Sequence, residues 1–123
     1  MAETICIVDD EPAILNSLSS ILEDEGYQVI TATNGLEGMK LVRSDAPDLV
    51  ILDIWMPEMD GLETLKRLRS QLPGILVVMM SGHGSIETAV KATKLGAYDY
   101  LEKPLDLEKV TILVRNALHQ RKL

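Results

Sequence analysis

Five short apolar runs separated by five amphipathic stretches constrain this chain more than any other feature. The runs are Thr4-Ile5-Cys6-Ile7-Val8, Tyr27 to Ala32, Leu49-Val50-Ile51-Leu52, Ile75 to Met80 and Ala97 to Leu101. Each is too short for a buried helix, and each predicts a strand. Between them apolar residues recur at helical spacing. The sets are Ile14, Leu15, Leu18, Ile21 and Leu22; Leu36, Met39 and Val42; Leu62, Leu65, Leu68 and Leu72; Ile86, Ala89, Val90 and Leu95; and Leu107, Val110, Val114, Ala117 and Leu118. These stretches predict five helices with those side chains inward. Strict β-α alternation implies an α/β protein: a parallel sheet with right-handed crossovers and helices on both faces. The third and fourth runs are apolar at every position, as strands covered on both faces must be.

The breaks between elements have their own chemistry. Pro12 suits the first turn of a helix, while Gly26 and Gly96 suit helix stops. Asp60, Ser85 and Asp106 are placed to cap the third, fourth and fifth helices. Gly38, inside the second helix, costs about 1 kcal/mol relative to alanine. With 123 residues the chain fits one domain, spanning 1–123. The last helix reaches Leu123 with no Gly or Pro stop, which predicts an N-terminal piece of a longer protein.

Composition removes several classes of function. Hydrophobic residues make up 46%, which argues against disorder. Twelve Lys+Arg against nineteen Asp+Glu give a formal charge of −7, so no direct nucleic acid binding is expected of this domain. One cysteine, Cys6, excludes an internal disulfide and a Cys-based zinc site. The N-terminus has no secretory pattern, and no apolar run approaches the roughly 20 residues that span a bilayer. The expectation is a cytoplasmic domain with no membrane partner.

In an open parallel sheet, ligands bind outside the carboxyl ends of the strands. The first strand ends in Asp9-Asp10, the third in Asp53, the fourth in Ser81 and the fifth in Lys103. Three carboxylates in one cleft repel unless a cation sits among them. Oxygen donors without His or Cys favour a hard ion, of which Mg²⁺ is the common choice. A carboxylate flanked by a metal and a lysine can attack phosphorus and form an aspartyl-phosphate. Ser81 could then donate to the phosphoryl group.

With those residues in place, the whole chain resembles the receiver domain of a two-component response regulator. The likeness is carried by Val8-Asp9-Asp10-Glu11, by Leu52-Asp53-Ile54-Trp55-Met56-Pro57-Glu58-Met59-Asp60-Gly61, by Met80-Ser81-Gly82-His83-Gly84 and by Asp99-Tyr100-Leu101-Glu102-Lys103-Pro104. It implies a flavodoxin-like (βα)5 fold, a doubly wound sheet of strand order 2-1-3-4-5. It implies that Asp53 accepts a phosphoryl group from a sensor histidine kinase. Asp10 and Asp53 would ligate Mg²⁺ directly, Asp9 through water and Trp55 through its backbone carbonyl. Lys103, expected to precede a cis bond to Pro104, would pair with Asp53 and then with the phosphoryl group. Ser81 and Tyr100 occupy the switch positions. The implied role is regulatory, with catalysis confined to the domain's own phosphorylation and dephosphorylation.

The Ser-Gly-His-Gly loop and the stretch Gly96 to Pro104 most resemble NtrC-type, nitrogen-regulatory regulators. These join the receiver to a downstream output domain that activates the alternative sigma factor, sigma-54. Phosphorylation would remodel the fourth helix, fifth strand and fifth helix, and a new surface there would drive homodimerisation. The alternatives are a stand-alone chemotaxis-type receiver and a receiver of another DNA-binding class. A flavodoxin would need a Ser/Thr-rich loop where Asp9-Asp10-Glu11 stands. A haloacid-dehalogenase-type phosphatase would need a second aspartate where Trp55 stands.

The remaining residues have plainer expectations. Trp55, two past the acceptor, and His83, two past Ser81, are placed to govern how long the phosphoryl group survives. Glu11, Glu58 and Asp60 read as solvated loop charges. Tyr98 and Tyr100 share one sheet face by strand parity. Cys6 lies in a buried run and is expected to be inert.

Overall fold

The computed structural model describes residues 2–82 and 86–122. Ten elements alternate without exception: β1 (Thr4–Val8), α1 (Pro12–Asp24), β2 (Gln28–Ala32), α2 (Gly35–Asp45), β3 (Leu49–Asp53), α3 (Gly61–Gln71), β4 (Leu76–Ser81), α4 (Ile86–Lys94), β5 (Asp99–Glu102) and α5 (Leu107–Lys122). All strand pairs are parallel, in the order β2-β1-β3-β4-β5. This is the expected doubly wound sheet, and β1 and β3, side by side at its centre, bring their carboxyl ends together.

Strand parity divides the core in two. Cys6, Val8, Val50, Leu52, Val77 and Met79 face α2, α3 and α4, packing with Met39, Val42, Leu65, Leu68 and Ala92. Ile5, Ile7, Leu49, Ile51, Val78 and Met80 face α1 and α5, packing with Leu18, Leu22, Val110, Val114, Ala117 and Leu118. A fully buried side chain of this kind contributes about 1.5–3 kcal/mol. Every residue of β3 is buried, as the apolar run Leu49 to Leu52 requires, and the burial extends to Asp53 at its end.

Helix ends follow their expected chemistry where the structure describes them. Pro12 opens α1, and Gly26 stops it with φ +96. Asn34 and Asp60 accept backbone N–H groups of Glu37 and Glu63, each at 2.8 Å. Asp106 accepts from Glu108 at 3.1 Å. Gly96, at φ +100, turns the chain from α4 into β5. The expected Ser85 cap lies outside the described residues.

Four apolar side chains expected inward are not. Leu36 is 50% exposed, because the buried face of α2 is Gly35, Gly38, Met39 and Val42. This face explains Gly38: a Cβ there would meet Val8 Cγ2 at 2.8 Å, so glycine lets α2 lie close on β1. Leu72 follows the last residue of α3 as its C-cap and is partly exposed. Ile86 and Val90 are exposed at 85% and 46%, and Ala92 is the one buried residue of α4. Tyr98 precedes β5 rather than lying in it, so strand parity does not place it with Tyr100. Its hydroxyl bonds Gln120 of α5 at 2.9 Å, whereas Tyr100 packs on the α2–α3–α4 side.

Gly61 holds the loop after β3 against the strand. Its N–H donates to Ile54 O at 2.7 Å, and a Cβ there would be forced into the backbone of Asp53 and Ile54. Gly61→Ala is expected to cost about 1–3 kcal/mol, the usual range for overpacking against atoms that cannot yield. At Gly74, by contrast, an added Cβ would meet nothing within 4 Å, and the backbone has no positive φ. Gly74→Ala is expected to be neutral or stabilising by up to about 1 kcal/mol. Urea unfolding of both variants checks the contrast, which equal losses would contradict.

Candidate functional site

Three backbone hydrogen bonds carry the ladder one residue past the strands and fix the site. Asp9 N donates to Ala32 O at 3.1 Å, Ile54 N to Met80 O at 3.0 Å, and Lys103 N to Ser81 O at 2.9 Å. Asp9, Asp53 and Lys103 are thereby set on rigid strand ends at one edge of the sheet. The Lys103–Pro104 bond is cis, as expected.

Asp9 and Asp53 are buried, whereas Asp10 is exposed. One carboxylate oxygen from each of the three can lie within 4.8 Å of the others. Lys103 Nζ sits 2.8 Å from Asp9 Oδ2, 3.0 Å from Glu11 Oε1 and 3.3 Å from Asp53 Oδ1. Its side chain is only 11% exposed. The mouth above is a cleft of about 220 Å³, lined by Asp10, Glu11, Asp53, Trp55, Gly82 and Lys103. A larger groove of about 400 Å³, at the opposite edge of the sheet between Arg43, Gln71 and Arg121, contains none of these residues.

Burial and repulsion set the protonation chemistry. Burial, then the charge of Asp9, push the Asp53 carboxyl up to about 6, against the pull of Lys103. Burial also raises Asp9, although Lys103 and the Glu11 N–H both stabilise its anion. Burial alone would lower the Lys103 ammonium, but bonds to Asp9 and Glu11 and the nearby charges of Asp53 and Asp9 hold it above the usual lysine range. The site thus gathers more negative charge than its one lysine can balance. Three carboxylates in this state, two of them buried, fit a hard divalent cation such as Mg²⁺. Burial lifts the Cys6 thiol to about 12, so it is inert as expected.

Ser81 is buried at the end of β4, opposite Glu102 of β5. Tyr100 is half-buried and turned inward, and its buried hydroxyl has no hydrogen-bond partner among the described residues. Trp55 is 51% exposed at the cleft wall. His83 lies outside the described residues. Glu11 corrects the sequence reading: it is not merely a solvated loop charge but a direct partner of Lys103. Its N–H also donates to Asp9 Oδ1 at 2.8 Å, turning the chain into α1. The only signal in the sequence was its place between Asp10 and Pro12, which does not say where the side chain points.

Comparison with known proteins gives a consistent answer. The model of the response regulator receiver domain family matches residues 5–115. The nitrogen assimilation regulatory protein NtrX of Azorhizobium caulinodans is 44% identical over 125 residues, an alignment covering 100% of this chain and 28% of the relative. The crystal structure of a CheY-like receiver domain protein from Methanospirillum hungatei superposes with a TM-score of 0.95 at 33% identity, covering 99% of this chain and 98% of that one. The beryllofluoride-activated receiver domain dimer of NtrC4 superposes at 0.91 with 39% identity, covering 96% and 98%. No helix among the described residues is long and apolar enough to cross a membrane.

The raised Asp53 carboxyl has a thermodynamic consequence. Its folded pKa of about 6 lies above the ordinary value of 3.8, so the folded state binds more protons between those limits. Stability from this group is therefore lost as pH rises from about 4 through 6, the reverse of a salt-bridged surface aspartate. Asp53→Asn cannot ionise. In EDTA its stability advantage over wild type is expected to grow across that window and level off above it, at up to about 3 kcal/mol. Urea unfolding at a series of pH values checks this; a difference independent of pH would contradict it.

Proposed function

The chain belongs to the response regulator receiver domain family, and on that premise we propose that Asp53 accepts a phosphoryl group from a sensor histidine kinase. The observation that carries this is the state of Asp53. It is a buried carboxylate, raised to about 6 and so still largely ionised at neutral pH, 3.3 Å from an ammonium and beside two further acids. An Asp53 oxygen forms the new bond to phosphorus as the donor's bond to phosphorus breaks. Lys103 donates to the phosphoryl oxygens, and Ser81 lies at the same edge to donate as well. Asp10 and Asp53, with Asp9 through water and the Trp55 carbonyl, would hold Mg²⁺. When bound, that ion supplies charge neutralisation at the phosphoryl oxygens.

The switch is proposed to run through Ser81 and Tyr100. A phosphoryl group on Asp53 draws Ser81 towards it, and the unpartnered hydroxyl of Tyr100 favours any rearrangement that gives it a partner. The surface affected is α4, β5 and α5, where Ile86, Val90, Tyr98 and Ile112 are exposed. A related receiver forms a dimer when activated by beryllofluoride. By analogy this face would pair two copies upon phosphorylation. The chain spans about a quarter of the curated relatives it matches. The likeness to NtrX supports control of an output domain elsewhere in the protein, with sigma-54-dependent transcription activation as the output. Trp55, and His83 two residues past Ser81 in the sequence, are proposed to limit access of water to the acyl phosphate.

With acetyl phosphate and Mg²⁺, intact-mass measurement should show one phosphoryl adduct on wild type and none on Asp53→Asn. Trp55→Asn should form the adduct and lose it several-fold faster than wild type. A full adduct on the Asp53→Asn variant would remove the acceptor assignment, and unchanged decay in the Trp55→Asn variant would remove the shielding role.

A further inference from the structure

We propose that Glu11 is a positioning residue: its ion pair with Lys103 is a latch that holds the ammonium at the wall of the cleft and must part before Lys103 can hold the phosphoryl group. The inference rests on the phosphoacceptor reading of Asp53 and adds a residue that reading does not use.

An ammonium has three N–H donors, and Lys103 has three carboxylates around it, from Asp9, Glu11 and Asp53. To serve a phosphoryl group fully, the lysine must release part of this set. The three partners are not equally easy to leave. The Asp9 side chain is 0% exposed, and an unpaired charge there would be stranded away from water. Asp53, 3% exposed, is the group to be modified. The Glu11 side chain is 59% exposed, so water can take over its carboxylate as soon as Lys103 lets go. Glu11 is therefore the partner that can be released.

The distances give the latch its direction. Lys103 lies closer to Asp9 and Glu11, at 2.8 and 3.0 Å, than to Asp53 at 3.3 Å. Glu11, Lys103 and Asp53 all line the cleft, but Asp53 is buried whereas Glu11 is exposed. The pair thus holds the ammonium towards the start of α1 and away from the acceptor. The bond between the Glu11 N–H and Asp9 Oδ1 fixes the backbone from which the Glu11 side chain reaches. No side-chain capping bond depends on Glu11, so replacing it leaves α1 intact.

The test compares wild type with Glu11→Gln and Glu11→Asp. Glutamine keeps the length and removes the charge; aspartate keeps the charge and is too short to reach Lys103 in its observed place. Beryllofluoride is titrated at saturating Mg²⁺, with Trp55, the single tryptophan and part of the cleft wall, as the fluorescent reporter. The Lys103 ammonium resonance, followed by NMR without metal, reports the latch independently of phosphoryl chemistry. Both variants are expected to bind beryllofluoride about threefold to fivefold more tightly, the scale of an exposed ion pair. In both, the ammonium protons should exchange faster with water than in wild type. Tightening in Glu11→Gln but not in Glu11→Asp would mean that charge alone acts, and would overturn the latch. Unchanged affinity in both, with Asp53→Asn still blocking the phosphoryl adduct, would overturn the latch and leave the acceptor assignment standing. A wild type that takes up no beryllofluoride would remove both.

Discussion

The Lys103 ammonium, shared among Asp9, Glu11 and Asp53, is the interaction on which the rest of this structure depends. Around it the fold brings four carboxylates, counting Asp10, to one cleft with a single lysine among its lining residues. Such an excess of negative charge costs stability, and the raised carboxyls of Asp53 and Asp9 express that cost. The cleft is in deficit of positive charge by construction. Its donors fit a hard cation, and its lysine has reason to follow any group that relieves the crowding.

The scaffold makes the deficit possible. A charge cluster on flexible loops would spread apart and be solvated. Here the ladder bonds of Asp9, Ile54 and Lys103 extend the sheet one residue beyond the regular strands. Two cores on opposite faces hold those strands in register. Gly61 lets the chain return against the backbone of Asp53 where any side chain would push it away. Gly38 in α2, which looks like a weak point in a helix, is what lets that helix lie on Val8, immediately before the acidic pair. Local costs at glycines thus support the placement of the acids. The α4 side is built differently: only Ala92 is buried there, while Ile86 and Val90 are exposed. An element anchored so thinly can shift at little cost to the core, which suits it to carry a signal.

Much of this was legible in the residues themselves. Alternating apolar runs and helical spacings determine a parallel α/β sheet, and the carboxyl edge of such a sheet is where a ligand binds. Asp9, Asp10, Asp53, Ser81 and Lys103 all stand at that edge. What could not be read were directions. The pattern Leu36, Met39, Val42 looks like an inward stripe until Gly35 and Gly38 are seen to form the contact, which turns Leu36 outward. Ile86 and Val90 have the spacing of a buried face, but α4 turns that face to solvent. Tyr98 and Tyr100 obey strand parity only if both lie in the strand, and β5 begins at Asp99. Glu11 was hidden for a different reason. A glutamate in a loop is usually solvated, and only the position of Lys103, ninety-two residues away, makes it a partner.

Asp53 is held in an unfavourable ionised state, which a bound cation would relieve. The most direct measurement is the titration of its side-chain carboxyl by carbon NMR, with and without Mg²⁺. A midpoint near pH 6 is expected in EDTA, with a shift well to the acid side when Mg²⁺ is added. A midpoint near pH 4 in EDTA that does not move with Mg²⁺ would contradict it.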